Sequence, residues 1–147
     1  MGISTLMQRS YRIARDGRTV VCDTLALRGE IDVLREALAW KRDRLARLEH
    51  DDTGDVLVLR SWMTLDDMLA ATSVFGDEAP LTLTSEEAVM LFELTTSYVA
   101  ERDVESYQPL EERERIALLR VMSGPLMDCC CEFVAAQAEV REPPLPV

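Results

Sequence analysis

The sequence predicts a mainly helical, single-domain protein, built as a bundle of about six helices. Aromatic residues make up only 5% of the chain although 48% is hydrophobic, so the core must be built from Leu, Val, Ile, Met and Ala. Such residues suit packed helices better than a β-sandwich. The length of 147 residues is that of one domain. We therefore predict one helical domain over residues 1–142, followed by a proline-rich tail over residues 143–147.

The N-terminal residues allow two interpretations. Apolar and small residues recur at helical spacing over residues 3–15, and Asp16-Gly17 would end that helix. Alternatively, Asp16-Gly17 is the turn of a short β-hairpin that joins residues 11–15 to residues 18–22. A short helix followed by an extended segment is the preferred interpretation, and the hairpin remains open.

The clearest predicted element is a long amphipathic helix over about residues 23–49, with Asp23 or Thr24 as its N-cap. Its apolar positions alternate at spacings of four and three, like a coiled-coil seam that one lysine interrupts. A helix of this length spans about 40 Å. If the protein assembles, this seam is where subunits would pair. The seam residues are Leu27, Ile31, Leu34, Leu38, Lys41, Leu45 and Leu48.

Four further helices complete the predicted bundle, the first of them capped by Thr64. They are separated by segments rich in Gly, Pro, Asp and Ser, which are typical of turns; these are residues 51–55, 76–80 and 123–125. Residues 56–59 are either a short strand or the beginning of a helix. Residues 81–87, Leu-Thr-Leu-Thr-Ser-Glu-Glu, indicate a helix entry. The predicted helices are residues 65–74, 88–101, 110–122 and 126–140.

Negative charge is concentrated in the middle third of the chain. The net charge is −11, and residues 51–105 hold thirteen carboxylates against two arginines. Residues 1–50, by contrast, carry a net positive charge. A segment this acidic repels nucleic acid and attracts basic surfaces, within a Debye length of roughly 8–10 Å.

Part of this charge has a local explanation, because Asp66, Asp67, Glu86 and Glu87 lie in predicted first turns, where they complement the helix dipole. The carboxylates without that explanation are the candidate partner-binding residues. If they meet on one face of the fold, binding is favoured; if they scatter, solubility explains them. They are Asp51, Asp52, Asp55, Asp77, Glu78, Glu101, Asp103 and Glu105.

The sequence holds no convincing catalytic, cofactor or metal site. Asp52-Thr53-Gly54 matches the aspartic-protease signature, but it follows a charged helix rather than an apolar strand, so we interpret it as a solvated turn. The thiols at 129–131 point about 100° apart on a helix and do not converge on a metal ion. We expect neutral core cysteines beside Phe133, because Asp128 and Glu132 make an acidic environment that opposes thiolate formation.

Arginines recur at every third position from Arg9 to Arg18 and cluster again at residues 42–47. Either group could contact phosphate. Interleaved carboxylates and a sequence pI near 4.5 instead favour solvated surface or pairing with the acidic middle segment. Direct nucleic-acid binding is therefore not expected.

These observations predict a non-enzymatic, acidic interaction protein that binds a basic surface of a partner protein. An inhibitor that imitates nucleic acid is one version of this prediction. The alternative is a structural or assembly component that oligomerises through its long helix. We expect no cofactor and no membrane association, because no apolar run approaches the ~20 residues that span a bilayer. The N-terminus does not resemble a signal peptide, which predicts a cytoplasmic location.

Overall fold

The computed structural model describes residues 8–47, 53–102 and 108–141. Three strands form one antiparallel sheet in which neighbours in sequence pair with each other, and helices pack against one of its faces. A short 3₁₀ turn, Thr72–Val74, follows the second helix. In chain order the elements are β1 Arg9–Ile13, β2 Val20–Leu27, α1 Arg28–Arg47, α2 Thr53–Ala71, β3 Glu78–Thr84, α3 Ser85–Arg102 and α4 Leu110–Arg141.

The fold is mainly helical, but the predicted bundle of about six helices is wrong. The structure has four helices and a three-stranded sheet in the residues that it describes. Two kinds of error produced the difference: three segments with strand character were assigned to helices or to their entries, and one continuous helix was divided at a proline. The proline-rich tail predicted at residues 143–147 lies outside the described residues.

At the N-terminus the hairpin interpretation is confirmed and the preferred helix is wrong. β1 pairs with β2 in antiparallel register, and the Ala14 N–H donates to the Thr19 carbonyl at 2.8 Å to close the loop. The Asp16 carboxylate accepts the N–H groups of Arg18 and Thr19, each at 2.8 Å. Gly17 takes a φ of 74°, a conformation that glycine adopts without steric cost.

The long helix begins later than predicted, because residues 20–27 continue as the central strand. β-Branched Val20, Val21 and Thr24 favour this conformation. Leu27, the first residue of the predicted seam, lies at the end of β2. Its N–H donates to the Glu30 carboxylate at 2.9 Å, which caps the helix entry at Arg28.

The segment predicted as a helix entry is first a strand and then an N-cap. Ala79, Leu81 and Leu83 are buried on one face of β3, and the residues between them are exposed, so the alternation is that of a half-buried strand. The helix entry itself is confirmed at its second half. The Glu87 N–H donates to Thr84 Oγ1 at 3.2 Å and the Thr84 N–H to the Glu87 carboxylate at 2.9 Å, which is a capping box.

Helix α2 begins inside one predicted turn and continues past a predicted N-cap, and helix α4 continues through a predicted break. α2 already begins at Thr53, inside the predicted turn at 51–55, and passes Thr64, whose hydroxyl donates to the Arg60 carbonyl at 3.0 Å rather than capping a new helix. α4 continues through Pro125. Proline removes one helical hydrogen bond, but the flanking Met122 and Leu126 are both buried, so tertiary packing sustains the helix on each side of it.

The core lies between the inward face of the sheet and the four helices. On the outward face, Asp23 accepts hydrogen bonds from Arg12 at 2.6 Å and from Thr82 at 2.8 Å. A smaller apolar cluster fills the junction between the hairpin, α3 and α4 and consists of Val20, Cys22, Ala88, Cys129 and Phe133. The largest fully buried side chains of the main core are Ile31, Leu34, Leu38, Leu65, Leu69, Leu83, Leu91, Leu94, Leu119, Met122 and Leu126.

Candidate functional site

The carboxylates predicted to bind a partner lie in three places as far as the structure describes them. Asp77 and Glu78 are exposed just before and at the start of β3, and the Asp77 carbonyl accepts the Arg28 N–H at 2.8 Å. Glu101 lies near the end of α3 and forms an ion pair with Arg44. Asp55 belongs to the first turn of α2. The other four, Asp51, Asp52, Asp103 and Glu105, lie outside the described residues.

Asp77 and Glu101, whose side chains the structure describes, do not meet on one face. Arg28 begins α1 and Arg44 lies close to its end, a separation of about 24 Å at the helical rise of 1.5 Å per residue. Asp77 is therefore at one end of α1 and Glu101 at the other. Glu101 is also partly neutralised by its own chain.

A different set of carboxylates does come together, in a groove between the N-terminal halves of α1 and α4. The groove has a volume of about 380 Å³. Four carboxylates and a single guanidinium line it, and partly buried Val33 and Leu118 provide apolar contact surface. We call this site the acidic groove. Its residues are Gly29, Asp32, Val33 and Glu36 of α1 and Glu111, Glu114, Arg115 and Leu118 of α4.

Helical periodicity explains how these residues meet. On each helix the four positions follow one another at spacings of three, one and three, which places them along one face. The faces are held together by Arg115, which forms ion pairs with Glu36 across the groove and with Glu112 on its own helix. Asp32, Glu111 and Glu114 remain exposed at the rim.

The sequence contained a signal for this groove. Asp32 and Glu36 are like charges four residues apart on one helix, an arrangement that costs a few tenths of a kcal/mol in an isolated helix. Glu111 and Glu114 repeat the pattern three residues apart. Both pairs lie outside the acidic middle segment, so counting charge along the chain overlooked them.

The arginines of α1 are largely paired with that middle segment. Asp66 of α2 accepts hydrogen bonds from Arg35 at 3.0 Å and from Arg42 at 3.4 Å, and Arg44 pairs with Glu101 of α3. In the hairpin, Arg12 pairs with Asp23. Pairing within the chain thus occupies much of the basic surface that the sequence offered as a phosphate contact.

The predicted oligomer seam faces the interior of its own chain. Ile31, Leu34 and Leu38 are fully buried in the main core, and Leu45 packs against that core. The Lys41 ammonium lies 5.8 Å from the ring centroid of Trp62, a cation–π contact. Leu48 lies outside the described residues. Ile31, Leu34 and Leu38 could pair between subunits only by leaving the core.

Metal and membrane sites receive no support from the described part of the chain. Across residues 8–47, 53–102 and 108–141, no group of three or more His, Cys, Asp or Glu side chains is arranged to hold a metal ion. Among the helices of those ranges, none combines the length and apolar character that crossing a membrane requires. Comparison with protein-family models, with curated proteins and with solved structures finds no match to this chain.

Proposed function

We propose that this chain is a non-enzymatic binding protein whose acidic groove receives a basic segment of a partner protein. The observation that carries the proposal is the convergence of Asp32, Glu36, Glu111 and Glu114 from two helices on one open groove. Only Arg115 opposes their charge within that lining. The net charge of −11 over the whole chain adds a long-range attraction for basic surfaces.

The groove offers both kinds of contact that a lysine or arginine side chain uses. Its rim carboxylates can accept charge-assisted hydrogen bonds from a guanidinium or ammonium group. The side chains of Val33 and Leu118 can pack against the aliphatic stem of the same residue. A basic surface that otherwise binds nucleic acid has this chemistry as well, so competition with nucleic acid tests the inhibitor version of the proposal.

The experiment uses three baits for affinity purification from cells of the source organism: the wild-type chain, a groove variant and a control variant. The groove variant combines Asp32→Asn, Glu111→Gln and Glu114→Gln, and it leaves Glu36 in place because that residue pairs with Arg115. The control carries the same change in net charge on exposed carboxylates that do not line the groove; its substitutions are Asp67→Asn, Glu93→Gln and Glu139→Gln.

A fourth bait separates the shape of the groove from its charge. Gly29 lines the groove and a Cβ built on it meets no atom within 4 Å, so Gly29→Gln is chosen to add a side chain there without a change in charge. The proposal requires a protein that the wild type and the control retain and that the groove variant and Gly29→Gln both lose. Once this protein is purified, its binding to the wild-type chain must weaken as salt is added. In the inhibitor version of the proposal, DNA or RNA must also compete with the chain for that protein.

Two results would contradict the proposal. If the control variant loses the same proteins as the groove variant, binding follows total charge and not this site. If no protein distinguishes the wild type from the groove variant and from Gly29→Gln, the groove has no protein partner in that cell.

A further inference from the structure

The hairpin and α4 bring two buried thiols to the same place. Cys22 lies on the inward face of β2 and Cys129 on α4, 0% and 2% exposed, and both belong to the small apolar cluster with Phe133. Cys130 is partly exposed and Cys131 is exposed. The expectation of core cysteines beside Phe133 therefore holds for Cys129, and its burial partner is a second thiol from a distant part of the sequence.

Tyr11 lies beside both cysteines. It is the cross-strand neighbour of Cys22 in the hairpin register. Its hydroxyl lies 3.4 Å from the Cys129 carbonyl oxygen and donates to Glu132 at 2.6 Å. Its ring packs edge-on against Phe133, with centroids 5.1 Å apart. Both thiols are buried in the one apolar cluster that this ring closes.

The charge around the pair differs from the acidic environment expected from the sequence. Glu132 is bound by Arg9 through two hydrogen bonds of 2.8 and 3.0 Å, so its charge is compensated. The neighbouring Cys22, with Tyr11 and Arg9, lowers the pKa of Cys129 against the opposing effect of burial. The neighbouring Cys129 and burial raise the pKa of Cys22. The pKa values of the two thiols are thus shifted in opposite directions, with Cys129 the more acidic.

A route to the pair exists from the surface. An open groove of about 500 Å³ lies between α3 and the C-terminal half of α4, and its lining includes Val89, Cys130, Phe133 and Val134. Phe133 belongs to both this lining and the thiol cluster. Phe133 therefore separates the groove from the thiol cluster, and displacement of its ring would open a path for a small, weakly polar reagent.

We propose that Cys129 is a site of oxidation by small hydroperoxides and that Cys22 is its resolving thiol. The Cys129 thiolate attacks the terminal peroxide oxygen, the O–O bond breaks, and the leaving alkoxide takes up a proton to form an alcohol. The Cys22 thiol then attacks the sulfur of the resulting sulfenic acid, and water leaves as the disulfide forms. In sum, two thiols and one hydroperoxide give one disulfide, one alcohol and one water.

The test uses the full chain carrying Cys130→Ser and Cys131→Ser, so that only the buried pair can react. The protein is treated with hydrogen peroxide or cumene hydroperoxide, its remaining thiols are blocked, and it is digested with trypsin without reduction. Cys22 lies in the tryptic peptide of residues 19–28 and Cys129 in that of residues 121–141. We expect these peptides to be linked, and the link to disappear after dithiothreitol.

Two single replacements in that background assign the roles. With Cys22→Ser the sulfenic acid has no partner, so dimedone should label residues 121–141; with Cys129→Ser neither the link nor the label should form. Circular dichroism checks that each variant is folded, and Cys→Ala replacements substitute for any that is not. A folded protein whose pair stays reduced, or one that links only after urea unfolding, would overturn the proposal. Labelling of Cys22 instead of Cys129 would overturn the assignment.

Discussion

Replacing Glu112 with glutamine should destabilise the protein far more than its position near a helix end suggests. Its side chain is 7% exposed. The carboxylate accepts hydrogen bonds from the Tyr98 hydroxyl at 2.8 Å and from Arg102 Nε at 3.2 Å, and it forms an ion pair with Arg115. Glu112→Gln keeps the shape of the side chain and removes the charge that these donors share.

The magnitude follows from burial and from what each donor can do afterwards. Breaking a buried ion pair by removing one partner costs about 3–5 kcal/mol. Arg102 and Arg115 are 35% and 24% exposed, so water recovers part of that loss and the low end applies. The glutamine carbonyl still accepts one hydrogen bond, worth about 1 kcal/mol. We expect a net loss of about 2 kcal/mol in the free energy of unfolding.

Urea unfolding measures this loss, with Glu111→Gln as the matched control. Both residues lie in the first turn of α4, so both substitutions remove the same favourable interaction with the helix dipole, about 0.3–1 kcal/mol. Only Glu112 is buried in the network. With a slope of about 2 kcal/mol per molar urea, Glu112→Gln should lower the midpoint by about 1 M and the control by less than half of that.

The pH dependence of the stability that Glu112 provides is a second test of this reasoning. Burial raises the pKa of Glu112, but hydrogen bonds from Tyr98 and Arg102 and the nearby charges outweigh it and hold the pKa below 4.5. The stabilisation is therefore complete above pH 4.5 and is lost as the pH falls through the lower, folded-state pKa. Equal midpoints for the Glu112 and Glu111 variants at neutral pH, or a deficit that does not shrink in acid, would refute the reasoning.

Three further predictions concern the core, the loop of the hairpin, and residues 72–77, which precede β3. Leu38→Ala should cost about 2–5 kcal/mol in urea unfolding, with the sedimentation coefficient of the folded protein unchanged, because Leu38 is buried within its own chain. In Asp16→Ala, hydrogen exchange of the hairpin amides should accelerate; in the wild type the same loss should occur between pH 3.8 and 2, because hydrogen bonds from Thr19 lower the pKa of Asp16 to about 2. Arg28→Met removes the guanidinium that donates to the Thr72 and Phe75 carbonyls at 2.7 and 3.1 Å, and should cost about 1–2 kcal/mol with faster amide exchange over residues 72–77.

Local patterns predicted the parts of the fold that local chemistry decides. The apolar spacing of Ile31, Leu34 and Leu38 identified a buried helix face, and all three are fully buried. The Thr-Ser-Glu-Glu sequence ending at Glu87 identified a helix entry, which the capping box with Thr84 confirms. Each of these signals lies within one turn or one helix, where a side chain contacts residues close to it in sequence.

The third strand of the sheet was missed because its pairing depends on residues far apart in the chain. Leu83 is the register partner of Cys22, and nothing within either segment specifies that contact. Without that partner strand, the sequence of Leu81–Thr84 is as compatible with a helix entry as with a strand. The helix break predicted at Pro125 was wrong for the same reason, because burial of Met122 and Leu126 against other elements outweighs the local preference for a break.

The charge pattern shows the same limit for the candidate site. Counting charge by segment treats residues close in sequence as close in space, and it assigns binding to the acidic middle. The fold instead lays the basic helix α1 against that segment, so Asp66 and Glu101 are paired internally by Arg35, Arg42 and Arg44. The unbalanced carboxylates that remain in one groove come from α1 and α4. Electrostatic attraction for a partner therefore depends on which opposite charges the fold has already brought together, and a search for binding surfaces in such chains should start from the residual charge after internal pairing.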